Sequence, residues 1–192
     1  MGKYYKGFLT AVGIVIYGLF NPVVVLADSP VALNYEDDHL LVWLRTPSPD
    51  QITGFYQGRG FNQASIDILR QNCFISVHMK NKSRDVLWLD LNEWQILDHS
   101  GKLIRRFRRE DWKMYWEKIG LILAHQSTFS WTQLPAVRDL RYDETVGGNL
   151  VIPWQDKPFK LIAIFRTGAD KSGPERKFVF ENIKCGSALS AE

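Results

Sequence analysis

The stretch Lys102–Arg109 concentrates the positive charge of this 192-residue chain: Arg105, Arg106, Arg108 and Arg109 surround Phe107, with Trp112, Tyr115 and Trp116 just beyond. Guanidinium groups grip carboxylates, sulfates and phosphates with paired hydrogen bonds and stack on aromatic rings, so this interleaving suits an anionic partner. Arg105, Arg106, Arg108, Trp112 and Trp116 are therefore the first candidates for a binding surface. A competing account makes the stretch an edge strand guarded by its charges, leading into a helix whose acids pair with them.

Metal ligation and catalysis find less support. The four His residues, His39, His78, His99 and His125, are scattered, with no pair spaced to meet on one element. His78 and Met79 would suit copper, but neighbours on a strand point to opposite faces. No metal and no cofactor is expected. A nucleophilic Ser or Cys needs an adjacent base; the chain has no G-x-S-x-G elbow, and Ser65, Ser127 and Ser130 lie in no recognisable context. His125 with Asp139 or Asp143 forms a triad only on paper. Glu36-Asp37-Asp38, Asp90 with Glu93, and Asp143-Glu144 offer paired carboxylates, which glycoside chemistry needs about 5–10 Å apart. The expected function is a non-catalytic binding or accessory module, with a cell-envelope hydrolase acting on glycan or peptide bonds as the alternative. Asn81-Lys82-Ser83 is a formal N-glycosylation sequon.

The address of the scaffold is written in residues 1–27. Lys3 and Lys6 precede an uncharged apolar run, Phe8–Phe20, which is too short to span a bilayer core of about 30 Å. Asn21-Pro22 then breaks it, and Val25 and Ala27 supply small residues before a cut at Asp28. This is the pattern of a cleaved secretory signal peptide, which predicts a periplasmic or secreted protein that meets a membrane only during export. Cys73 and Cys185 are the only cysteines, and an even count in an exported chain predicts a disulfide.

Without Lys3 and Lys6 the balance is 22 basic residues against 21 acidic, which gives no electrostatic case for nucleic acid. The expected partner is an envelope protein or an anionic glycan or lipid. An aromatic fraction of 13% favours strands and large burial per residue.

The elements follow from periodicity. Leu40–Leu44 reads as a first strand after a polar lead, Asp28–Asp38. Ser48, Pro49 and Gln51 then make a capping box for a helix carrying Ile52, Phe55 and Tyr56 inward, and a second helix follows Asn62. Cys73–Met79 and Val86–Leu91 alternate as strands. Lys102–Phe107 and Thr128–Leu134 read as two more. Between these, Trp112, Tyr115, Trp116 and Ile119 fall at i, i+3, i+4 and i+7, a helical stripe within Glu110–Ile119. Val146–Ile152, Phe159–Phe165 and Lys177–Ile183 complete a strand-rich chain. The predicted organisation is a signal peptide over 1–27 and one domain over 28–192. That domain is expected to be mostly β: an immunoglobulin-like β-sandwich with a short N-terminal helical hairpin and one inserted helix.

The runs Phe55-Tyr56-Gln57-Gly58-Arg59-Gly60-Phe61, Cys73-Phe74, Phe129-Ser130-Trp131-Thr132-Gln133-Leu134-Pro135 and Arg138-Asp139-Leu140 together resemble uncharacterised exported proteins of Gram-negative bacteria, over most of the mature chain. The closing strands, from Val146–Ile152 through the Phe159 and Phe178 segments, are similar to immunoglobulin-like bacterial domains. The resemblance implies a periplasmic address and a sandwich fold, and brings no activity, cofactor or catalytic residue with it.

Overall fold

Alternating apolar side chains build two antiparallel sheets. The computed structural model describes residues 32–187, so the predicted signal segment lies outside the described residues. Strands β1 (Ala32–Glu36), β2 (Leu40–Arg45), β3 (Asn72–Asn81) and β7 (Thr145–Pro153) form the first sheet, in that order. The second holds β4 (Leu87–Asp90), β5 (Gln95–Leu97), β6 (Val137–Leu140), β8 (Phe159–Thr167) and β9 (Arg176–Ile183). β4 and β5 pair end to end along one edge of β8, β9 takes the other edge, and β6 flanks β4. The fold is mostly β, a sandwich.

Leu40, Val42 and Leu44 of β2 and Cys73, Ile75, Val77 and Met79 of β3 share one core with Leu87, Leu89, Phe165 and Phe178 of the second sheet. Burying each such side chain contributes ~1.5–3 kcal/mol, so this interior dominates the stability. Cys73 and Cys185, the latter just past β9, form a disulfide with Cα atoms 5.4 Å apart, which ties the first sheet to the end of the second.

A second core lies on the outer side of the first sheet. Phe74 and Val151 face each other in the β3–β7 register and both turn outward. Helices α1 (Pro49–Gln57), α2 (Gln63–Arg70), α3 (Arg109–Lys118) and α4 (Leu123–Trp131) cover them with Ile52, Tyr56, Ile66, Leu69, Trp112, Trp116 and Phe129. The next outward pair, Ser76 and Asn149, is polar and joined by a 2.7 Å hydrogen bond, and His78 beyond it is exposed. The helical layer ends where the outward residues of β3 turn polar.

Local chemistry sets the helix starts. The Ser48 hydroxyl accepts from the Gln51 N–H at 3.2 Å while the Gln51 side chain accepts from the Ser48 N–H at 3.1 Å. The Asn62 carboxamide oxygen accepts from the Ser65 N–H at 3.0 Å and caps α2.

Several sequence expectations change. The helical pair does not precede the sandwich: α1 and α2 are inserted between β2 and β3, which pair directly in the first sheet, and the polar lead contains a further strand, β1. β1 escapes a hydropathy reading as an edge strand, with Leu33 against the core and Asn34, Tyr35 and Glu36 exposed. Four helices stand where three were expected, and β6 was not foreseen.

Lys102–Phe107 is not a strand. It touches the second sheet through one bridge, Leu103 to Leu97, and then crosses to the first, where the Phe107 N–H donates to the Val151 carbonyl at 2.8 Å. Ile104 packs on the sandwich core and Phe107 on the helical one, so its alternation serves two interiors rather than one pleat. Thr128–Leu134 is not a strand either, since its first half belongs to α4. After α4 the chain settles on β7 at Gly148, where the Leu134 backbone occupies the space a Cβ would need.

Candidate functional site

The stripe that makes α3 a helix also decides which of the candidate residues can meet a ligand. Trp112 and Trp116 are 3% and 2% exposed. They stack on each other at 5.3 Å, and Phe129 of α4 packs 4.6 Å from Trp112. Both indoles are core, and the expected exposed basic–aromatic patch does not form with them. Tyr115, expected inward, is 39% exposed. Phe55, also expected inward, is exposed, with the Arg59 guanidinium 3.5 Å above its ring.

The arginines divide. Arg105 is exposed, and its guanidinium donates to Asp111 Oδ1 at 2.8 Å. The other Asp111 oxygen accepts from the Arg108 N–H at 2.7 Å, so one carboxylate holds the entry to α3 from both sides. Burial alone would raise the Asp111 pKa, but the Arg105 hydrogen bond, the Arg108 N–H and the two guanidinium charges outweigh it and hold the carboxyl below its ordinary value. Arg106 is half-buried and turns toward the Leu91 carbonyl and Asn92, both at 3.4 Å; burial, then repulsion from Arg108, pulls its pKa below the usual value. Arg108, Arg109 and Lys118 are exposed and make no ion pair among the described residues.

What these side chains enclose is a cleft of about 290 Å³, lined by Arg105, Phe107, Asp111, Met114, Tyr115 and Lys118. Its floor is aromatic, with Phe107 and Tyr115 edge-on at 6.1 Å, and its rim is mostly cationic. Such a cleft can take an anionic or flat group by charge and stacking.

The catalytic candidates are not brought together. His125 stacks on Phe61 at 5.0 Å within the helical layer. Asp143 pairs with Lys80, which lies six residues along β3 from Phe74, roughly 20 Å at strand rise. Glu144 is occupied in a turn, accepting from the Arg141 N–H at 3.0 Å. Among the described residues no group of three or more His, Cys, Asp or Glu could hold a metal ion, and no helix is long and apolar enough to cross a membrane. The sequon is closed: Asn81 is 0% exposed, and its Nδ2 donates to the Asp85 and Leu140 carbonyls at 2.7 and 2.8 Å, leaving no room for a glycan.

No protein-family model matches the chain, and no curated protein matches it in sequence. Three solved structures overlap it loosely. The yjhA protein of Bacillus subtilis is 13% identical at a TM-score of 0.39, over 68% of this chain and 76% of its own. The ycdA protein of the same organism is 13% identical at a TM-score of 0.40, over 78% of this chain and only 38% of its own. A DUF4426 family protein of Pseudomonas aeruginosa is 12% identical at a TM-score of 0.34, over 81% of this chain and 97% of its own.

Residues that sequence reasoning missed are Phe107, Met114 and Lys118 as cleft walls. Two of them left a trace: Phe107 sits inside the arginine cluster, and Met114 lies about 200° around α3 from Trp112, a position that helical geometry assigns to solvent.

Proposed function

We propose that this chain is a non-catalytic exported module, working in the periplasm or outside the cell, that engages an anionic partner through the α3 cleft. One observation carries the reading. Residues 102–131 hold seven Lys and Arg against three Asp and Glu, a net +4 in a chain of net +3, so the remainder is net −1. Lys118 brings an unpaired cation to the cleft wall, and Arg108 and Arg109, at the start of α3, add two exposed cations that make no ion pair among the described residues. The Cys73–Cys185 bridge supports an oxidising address, as does the signal-like segment over 1–27. The immunoglobulin-like assignment belongs to the same proposal, supported by two antiparallel sheets with a disulfide between them.

Retention on immobilised heparin, a soluble anionic glycan, tests the reading. The wild-type chain is expected to elute at higher salt than an Arg108→Glu/Lys118→Glu variant shown to be folded by a cooperative thermal transition. Equal elution would remove the cleft as an anion site.

A further inference from the structure

The outward face of α4 has an unusual composition. Its sequence, Leu-Ala-His-Gln-Ser-Thr-Phe-Ser-Trp, holds no Lys, Arg, Asp or Glu. Phe129 turns inward, and Leu123, Ser127 and Trp131, at i, i+4 and i+8, share the opposite side. Leu123 is 78% exposed and Trp131 is 88% exposed. Ile122, which precedes the helix, is 60% exposed, and Met114 on α3 is 64% exposed. Both helices cover the same face of the first sheet, so residues opposite their buried sides point away from it.

Two properties coincide in this part of the chain. Among the described residues, six of the twelve exposed large hydrophobic side chains lie within 102–131, the same segment that carries net +4. A charged groove for a soluble anion needs no apolar stripe beside it, and an apolar interface between proteins needs no cation surplus. An anionic bilayer calls for both: headgroups that draw Lys and Arg, and an acyl boundary that takes Leu and the amphipathic ring of Trp.

We propose that the α3–α4 face is a docking surface for an anionic lipid bilayer. Leu123 and Trp131 enter the headgroup–acyl boundary while Arg108, Arg109 and Lys118 meet the headgroup phosphates. The proposal rests on the anionic-partner reading above and names that partner. At 1.5 Å per residue α4 is about 13 Å long, which suits a helix lying in the interface rather than crossing it.

The test reads Trp131 directly, so that membrane contact by the apolar residues 8–20 cannot stand in for contact by α4. The full-length chain and a Trp131→Phe variant are mixed with vesicles of phosphatidylcholine alone, or of phosphatidylcholine and phosphatidylglycerol in equal parts. The difference between their emission spectra is the Trp131 signal. It should shift to the blue and be quenched by brominated phosphatidylglycerol, and high salt should reverse both effects. Each cation near an anionic surface strengthens partition roughly fivefold, so Arg108→Glu/Lys118→Glu should weaken it at least about 25-fold.

An unchanged Trp131 signal, or the same response to neutral vesicles, would overturn the proposal. So would a blue shift that grows with protein concentration without lipid, which would make the occupant a second copy of the chain. If vesicles leave Trp131 unmoved while heparin still separates the charge-reversed variant, the lipid assignment fails alone. If heparin retention is also insensitive to that variant, the anionic-partner reading fails with it.

Discussion

Phe129 and Trp131 lie on opposite sides of one helix, the first 2% exposed and the second 88%. Phe129 closes the helical core against Trp112 and Trp116 at 4.6 and 5.1 Å. Phe129→Ala should therefore cost about 3–5 kcal/mol, transfer plus cavity. Trp131→Ser should stay within about 0.5 kcal/mol of wild type. Urea unfolding of the two variants checks the contrast; comparable losses would place both rings in the interior.

That pair also marks where sequence reasoning stopped. A Phe and a Trp two apart, separated by a small polar residue, satisfy the period of a strand, and nothing local forbids it. The helix wins because Phe129 has Trp112 and Trp116 to pack against, a contact invisible along the chain. β3 was legible because its inward residues, Cys73, Ile75, Val77 and Met79, all face one core. The stripe of α3 was legible as well, but it was asked to do two incompatible things: Trp112 and Trp116 cannot both anchor the helix and greet a ligand. The exposed arginines survived as candidates, and the aromatic share of the site passed to Phe107 and Tyr115. Lys102–Phe107 deceived for a different reason, since it serves one core at Ile104 and the other at Phe107.

Asp111 sets a pH dependence. Its folded-state pKa is depressed, so the unfolded chain binds a proton more readily than the native one as pH falls. The resulting stabilisation is fully present above the ordinary Asp value of about 3.9 and is lost as pH drops through the lower folded value. Asp111→Asn should be less stable than wild type at neutral pH, and the two curves of thermal midpoint against pH should converge below about pH 4. Parallel curves through that range would show that the Arg105 and Arg108 contacts do not bias the carboxyl.

The bridge between Cys73 and Cys185 encloses a sequence separation of 112 residues. In the chain-entropy model, closing a loop of that size stabilises the native state by about 4–5 kcal/mol, comparable with the lower end of whole-domain stabilities. A Cys73→Ser/Cys185→Ser variant should lose most of its resistance to urea, and a reducing agent should do the same to wild type but leave the variant unaffected. A variant with an unshifted midpoint would mean that the unfolded chain is not constrained by the link.

Asn81 joins the two sheets by hydrogen bonds rather than by apolar contact. From the end of β3 it donates to the Leu140 carbonyl of β6 and the Asp85 carbonyl, and its oxygen accepts from the Ser83 N–H at 2.8 Å. Truncation removes three bonds and takes a donor from the buried Leu140 carbonyl, while the Asp85 carbonyl, on an exposed residue, can turn to water, so Asn81→Ala should cost about 1–3 kcal/mol. Asn81→Asp would keep the Ser83 contact but lose both donated bonds and bury a charge beside two carbonyl oxygens, and it should cost at least as much near neutral pH. The Ser83 N–H also donates to the His39 carbonyl at 3.1 Å, so its amide-exchange protection should fall only in part in the Ala variant and stay at the wild-type level in the Asp variant wherever that protein remains folded. If both variants unfold with wild type in urea, the hydrogen bonds at the end of β3 do not hold the two sheets in register.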